Sequence, residues 1–170
     1  MKRVLVAGVG NVFLGDDAFG VEVVRELMRR PAAAHVTVRD FGTRGLDLAY
    51  TLVDGFDALV LVDTVQRGHV PGTLSVLDPD FERGQPTEEL LGPGHGVDPC
   101  RVFGLVRALG GTVPTTRLVG CEPFDFGSDE EPMLELSPMV RDAVARALPL
   151  IEALLLELGA ALPKGLALDA

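Results

Sequence analysis

Short, continuous apolar runs alternate with stretches in which apolar residues recur every three or four positions, and this alternation repeats along most of the 170 residues. Residues 3–9 form an apolar run suited to a strand buried on both faces. Residues 18–30 place Phe19, Val23, Val24, Leu27 and Met28 on one helical face and stop at Pro31. Residues 35–40 alternate like a second strand, 45–53 read as a short helix, and 58–63 (Ala-Leu-Val-Leu-Val-Asp) read as another buried strand. The Pro71-Gly72 turn introduces residues 72–77, an edge strand expected to run antiparallel. Residues 78–98 are irregular and rich in Pro, Gly and Glu; loops of that length inside a compact domain tend to be functional or mobile. Asp98-Pro99 gives an N-cap and a first-turn proline, opening a helix that runs to about residue 109. A fifth strand follows at 115–121 and an irregular acidic segment at 121–136. Ser137-Pro138 opens the last helix, with Val140, Val144, Leu148, Ile151 and Leu155 on its apolar face. Pro149 inside that helix is expected to kink it, and the tail after Gly159 to fray.

Strands alternating with helices predict a three-layer α/β/α sandwich around a mostly parallel, five-stranded twisted sheet. The expected division is one domain over residues 1–158 and a frayed tail over 159–170. A hydrophobic fraction of 47% fits a compact globule and excludes a disordered chain. The formal net charge of −10 argues against nucleic acid or an anionic membrane as partner. Cys100 and Cys121 are the only cysteines, too few for a disulfide framework and wrongly spaced for a zinc cluster, so both are expected as reduced thiols in a cytoplasmic protein. No run approaches the roughly 18 apolar residues of a membrane helix, and the first apolar run reads as a strand and not as a signal peptide.

The chemistry gathers around Gly8-Val9-Gly10-Asn11, followed by Asp16-Asp17 and Gly20. A glycine corner between a strand and a helix usually binds phosphate, but two aspartates at the helix start disfavour an anion and suit a cation. Ligands of such sheets collect at the carboxyl ends of the strands. Asp17 follows the first strand, Asp63 ends the third, and His95 lies between Gly94 and Gly96 just before a helix. Two carboxylates and an imidazole form an incomplete shell that suits nickel or zinc better than calcium or magnesium. Each residue also has a plainer reading: Asp17 as a helix cap, Asp63 as a turn acceptor, His95 as a solvated loop residue. Asp16 cannot share a helix face with Asp17 and reads as the cap or as a support for the ligands. His35 and His69 fit a strand start and a turn. The rival is dinucleotide binding through the Gly8-Val9-Gly10 corner, with Asp40 on a ribose hydroxyl, although Phe13 stands where the fingerprint needs a small residue.

The pattern Gly-Val-Gly-Asn-x-x-x-x-Asp-Asp-x-x-Gly over residues 8–20 resembles the opening signature of the hydrogenase maturation endopeptidases. The resemblance continues through Asp40-Phe41-Gly42-Thr43-Arg44-Gly45, residues 59–63, Pro71-Gly72-Thr73, Gly94-His95-Gly96, Gly120-Cys121-Glu122-Pro123 and Leu136-Ser137-Pro138. It implies an endopeptidase, of aspartyl type, that removes a C-terminal extension from the large-subunit precursor of a nickel–iron hydrogenase after nickel insertion. It also maps the family's metal-binding residues onto Asp17, Asp63 and His95. Many members carry Glu where this chain has Asp17, which sets a metal about one methylene closer to the backbone. Nickel is then supplied by the precursor, and zinc or another divalent ion is the alternative occupant in vitro.

No serine or cysteine nucleophile with a histidine partner stands out, and no His-Glu-x-x-His helix is present. A metal at the predicted site either polarises the scissile carbonyl or lowers the pKa of a water. Asp40, Gly42 and Thr43, after the second strand, are placed to shape a cleft for the substrate's C-terminal segment; a tight turn at Gly42 explains them equally well. A non-catalytic, metal-sensing chaperone on the same scaffold is the alternative of a different class.

Overall fold

The computed structural model describes residues 1–31, 33–80, 88, 91, 96–128 and 130–160. Among them the order is β1 (Val4–Val9), α1 (Phe19–Met28), β2 (Val36–Gly42), α2 (Gly45–Val53), β3 (Ala58–Thr64), β4 (Leu74–Leu77), α3 (Pro99–Ala108), β5 (Thr115–Cys121) and α4 (Pro138–Glu157). A 3-10 turn over Gly15–Ala18 leads into α1. The strands form one sheet in the order β2-β1-β3-β5-β4, parallel except for β4, which pairs antiparallel with β5 at the edge.

Alternation along the strands builds two cores. Val4 and Val6 of β1 and Val60 and Val62 of β3 join α1 and α4 on one side. Leu5, Ala7 and Val9 with Leu59 and Leu61 join α2 and α3 on the other. β1 and β3 are buried on both faces, which is why they carry uninterrupted apolar runs. α1 is held by packing: Phe19, Val23 and Val24 are fully buried, each contributing about 1.5–3 kcal/mol. The Glu22–Arg25 pair on its outer face is exposed and adds at most about 1 kcal/mol.

The helix starts follow the sequence signals. The Asp98 side chain accepts from the backbone N–H groups of Cys100 and Arg101, and Pro99 occupies the first turn of α3. Ser137 is the N-cap residue of α4, with Pro138 behind it, but its hydroxyl makes no capping bond. α4 continues as one helix through Pro149 to Glu157. The irregular stretch at 78–98 falls largely outside the described residues, as does the tail after residue 160. Leu91 is fully buried in the α2/α3 core, and its carbonyl accepts the Gln66 N–H at 2.8 Å.

Candidate functional site

The sheet order reverses at β1: the chain passes to β2 on one side and returns to β3 on the other. The carboxyl ends of β1 and β3 therefore flank the crevice where open α/β sheets bind ligands. Asp17 lies in the turn after β1, and Asp63 is the last residue but one of β3. Two of the three residues picked from the sequence thus meet at this edge. His95 lies outside the described residues.

The glycines of the corner let the backbone fold onto itself. A Cβ on Gly20 would run into the carbonyl oxygens of Val9 and Val62, and one on Gly8 into that of Gly20. Gly10, at φ +139°, faces the Asp17 carbonyl with no room for a side chain. These glycines seat the start of α1 directly on β1 and β3. The space that a pyrophosphate would take in a dinucleotide site is filled by the chain's own turn. The Asn11 N–H, an amide that would meet such an anion, instead donates to Asp17 Oδ2 at 2.8 Å. Asp40, the expected ribose partner, is turned toward Arg25 of α1 at 3.4 Å. The corner is built against the dinucleotide reading.

Thr64, which sequence reasoning passed over, joins the two carboxylates. Its hydroxyl donates to Asp17 Oδ1 at 3.3 Å, and its backbone N–H donates to Asp63 Oδ1 at 2.8 Å. All three residues are buried: Asp17 is 8% exposed, Asp63 2% and Thr64 0%. Burying a carboxylate strips its hydration, and a cation shared between two buried carboxylates joined through one residue offsets that cost. Carboxylate oxygens are hard donors with two lone pairs each, and Asp17 spends one on the Asn11 N–H and one on the Thr64 hydroxyl, so by donor type the pair suits a divalent ion. Among the described residues no third His, Cys, Asp or Glu completes a group able to hold a metal.

Asp16 is neither cap nor ligand. The 3-10 turn has no side-chain cap. The Asp16 carboxylate, fully buried, points away from the crevice and accepts from Phe124 N, Asp125 N, Ser137 N and Ser137 Oγ. Adjacent aspartates thus serve opposite directions, as helical geometry requires. The other expected residues line the same edge. Gly42, at φ +53°, gives its carbonyl to the Gly10 N–H at 3.0 Å and so braces the glycine corner. Thr43 packs beside Gly96, the residue that follows His95 in the chain.

Both cysteines are free thiols. Cys121 is buried in the α1/α4 core, and burial, reinforced by the Asp16 charge, pushes its thiol up to about 12. A thiol so rarely ionised is no nucleophile at working pH. Cys121→Ala is expected to leave the protein's activity intact; loss of activity in the folded variant would bring a thiol back into the chemistry.

A sequence model of the family described as hydrogenase maturation protease matches residues 21–154. The chain belongs to that family. The "Hydrogenase expression/formation protein HupD" of Bradyrhizobium diazoefficiens is 33% identical over 93% of this chain and 80% of its own length. The "Hydrogenase 2 maturation protease" of Escherichia coli is 32% identical over 92% of this chain and 93% of its own. Among solved structures, the hydrogenase maturating endopeptidase HybD of E. coli superposes with a TM-score of 0.74 at 30% identity, covering 93% of this chain and 94% of that one. The α/β fold is the one these maturation proteases share, and the present chain is a hydrogenase maturation protease in activity. Among its described residues no helix is long and apolar enough to cross a membrane.

Proposed function

We propose that this protease removes a C-terminal extension from the large-subunit precursor of a nickel–iron hydrogenase, and that it recognises the nickel-loaded precursor through Asp17, Asp63 and His95. The reading is carried by one observation: in a maturation protease, two buried carboxylates joined by Thr64 occupy the switch-point crevice. The metal is cargo of the substrate. It supplies Lewis acidity at the scissile peptide, toward the carbonyl or toward a water. The chain's own residues do the rest. Thr64 holds the two carboxylates at a fixed separation, and the Asn11 N–H fixes the rotation of the Asp17 carboxylate. His95 adds the imidazole that turns an oxygen pair into a site for a borderline metal. Asp40, Gly42 and Thr43 line the approach for the substrate's terminal segment. In the isolated protein the site is weak, since two carboxylates and one imidazole leave coordination positions that the precursor fills; zinc or another divalent ion is the alternative occupant of the site in vitro.

The protein works in the cytoplasm on this view, where its thiols stay reduced. Intact-mass measurement of the precursor before and after incubation tests the reaction itself. A single peptide lost from the C-terminal end is the expected result. Loss from the N-terminus, or internal fragmentation, would contradict the proposal while leaving the protein a protease.

A further inference from the structure

Asp16 stands beside a proposed ligand, is fully buried, and takes no part in the chemistry described above. Its bonds all lead to one place. Oδ2 accepts from Phe124 N at 2.8 Å, from Asp125 N at 3.1 Å and from Ser137 Oγ at 2.9 Å, and Oδ1 accepts from Ser137 N at 2.7 Å. The backbone adds two more links: Asp16 N donates to Asp125 O at 3.1 Å and Gly15 N to Met133 O at 2.7 Å. The turn that carries Asp17 is thereby fastened to the segment between β5 and α4. On its other side the same turn rests on Gly10.

The exit of β3 is fastened to that segment as well. The Glu122 carboxylate, 6% exposed, accepts from Arg67 N at 2.9 Å and Gly68 N at 3.1 Å, just past Asp63 and Thr64. Two buried carboxylates therefore tie the turn bearing Asp17 and the loop that follows Asp63 and Thr64 to one common strap, the chain that follows β5.

We propose that Asp16 is a positioning residue, whose buried carboxylate clamps the Gly15–Ala18 turn to the segment after β5 and so sets where Asp17 presents its carboxylate to the metal. A charge with four donors resists displacement far better than a neutral acceptor would, because hydrogen bonds to an ionised group are shorter and stronger. The clamp acts at one residue's remove, and residues that orient a metal ligand typically matter about 10–100-fold in affinity or rate.

This inference rests on the assignment of Asp17 as a ligand, and the test separates the two. Wild type, Asp17→Ala, Asp16→Asn and Ser137→Ala are titrated with Ni2+ alone by calorimetry, and kcat and KM are measured on the loaded precursor. Asp16→Asn is expected to weaken Ni2+ binding about tenfold or more and to lower kcat by a similar factor with KM little changed. Ser137→Ala removes only the hydroxyl that meets Asp16, since that hydroxyl caps nothing, and is expected to shift both readouts the same way by less. If Asp16→Asn fails to fold, Ser137→Ala decides. Lowered thermal stability with Ni2+ affinity and kcat unchanged in the folded variants would reduce Asp16 to a purely structural role and overturn the inference. Wild-type Ni2+ affinity in Asp17→Ala would instead overturn the ligand assignment beneath it.

Discussion

Asp17→Asn is expected to abolish precursor processing, by about a thousandfold or more, while leaving the protein close to its native stability. The amide keeps the side chain's volume. It can still accept the Asn11 N–H and remain within reach of the Thr64 hydroxyl, the two partners of Asp17 in the structure. What it loses is the charge. Removing one anionic ligand from a metal that stabilises the transition state by several kcal/mol costs about 4 kcal/mol, which is roughly a thousandfold in rate. Asp17→Ala has the same effect on processing with a further penalty in stability. The Asn11 N–H and the Thr64 hydroxyl are then left without their partner, at about 1–3 kcal/mol. Domains of this size have about 5–15 kcal/mol in reserve, so the alanine variant also folds. His95→Ala belongs in the same experiment and should be equally inactive. Full processing by these variants, each with a native circular-dichroism spectrum, would remove the ligand set from the account.

Gly20→Ala is expected to prevent folding or to lower the melting temperature severely. In an exposed helix interior, glycine to alanine stabilises by about 1 kcal/mol, so the predicted sign is opposite to propensity. The reason is steric. Gly20 lies on the first turn of α1, where the helix meets the sheet, and a Cβ there would overlap the Val62 and Val9 carbonyl oxygens, both main-chain atoms of the two central strands. Backbone in the middle of a sheet cannot give way as a flexible side chain can. Overpacking of this kind costs upwards of about 3 kcal/mol, and the only relief is to lift α1 off β1 and β3, which would carry Asp17 away from Asp63. A thermal melt reads the effect. A variant as stable as wild type would show that the helix does not sit as close to the strands as described.

The apolar patterns carried the fold because the two central strands are buried on both sides and the helices on one. β1, β3 and β5 and the short helix α2 stand within a residue of where their runs predicted them. β2 runs two residues further than its alternation, to Gly42, because the Gly42 carbonyl continues the pairing to Gly10. The meeting of Asp17 and Asp63 at one sheet edge was legible, since strand ends in an alternating α/β chain converge there. Thr64 was not. A buried threonine after an aspartate looks like the last residue of a strand, and only the meeting of two segments 47 residues apart gives its hydroxyl a partner. Of the two readings of Asp16, cap or support for the ligands, the cap fails for a related reason. An aspartate at a helix start reads as a cap, whereas its donors come from Phe124, Asp125 and Ser137, more than a hundred residues away. The glycine corner likewise has the local look of a phosphate loop, and only the three-dimensional closeness of Gly10 to Asp17 and of Gly20 to Val62 reveals packing as its purpose. Long-range hydrogen bonds leave no periodic trace in the sequence.

The most direct measurement is mass spectrometry of a cognate hydrogenase large-subunit precursor, prepared with and without nickel, after incubation with this protease. The account predicts that the nickel-loaded form alone loses a C-terminal peptide. Equal cleavage of the nickel-free form would contradict metal recognition through Asp17, Asp63 and His95.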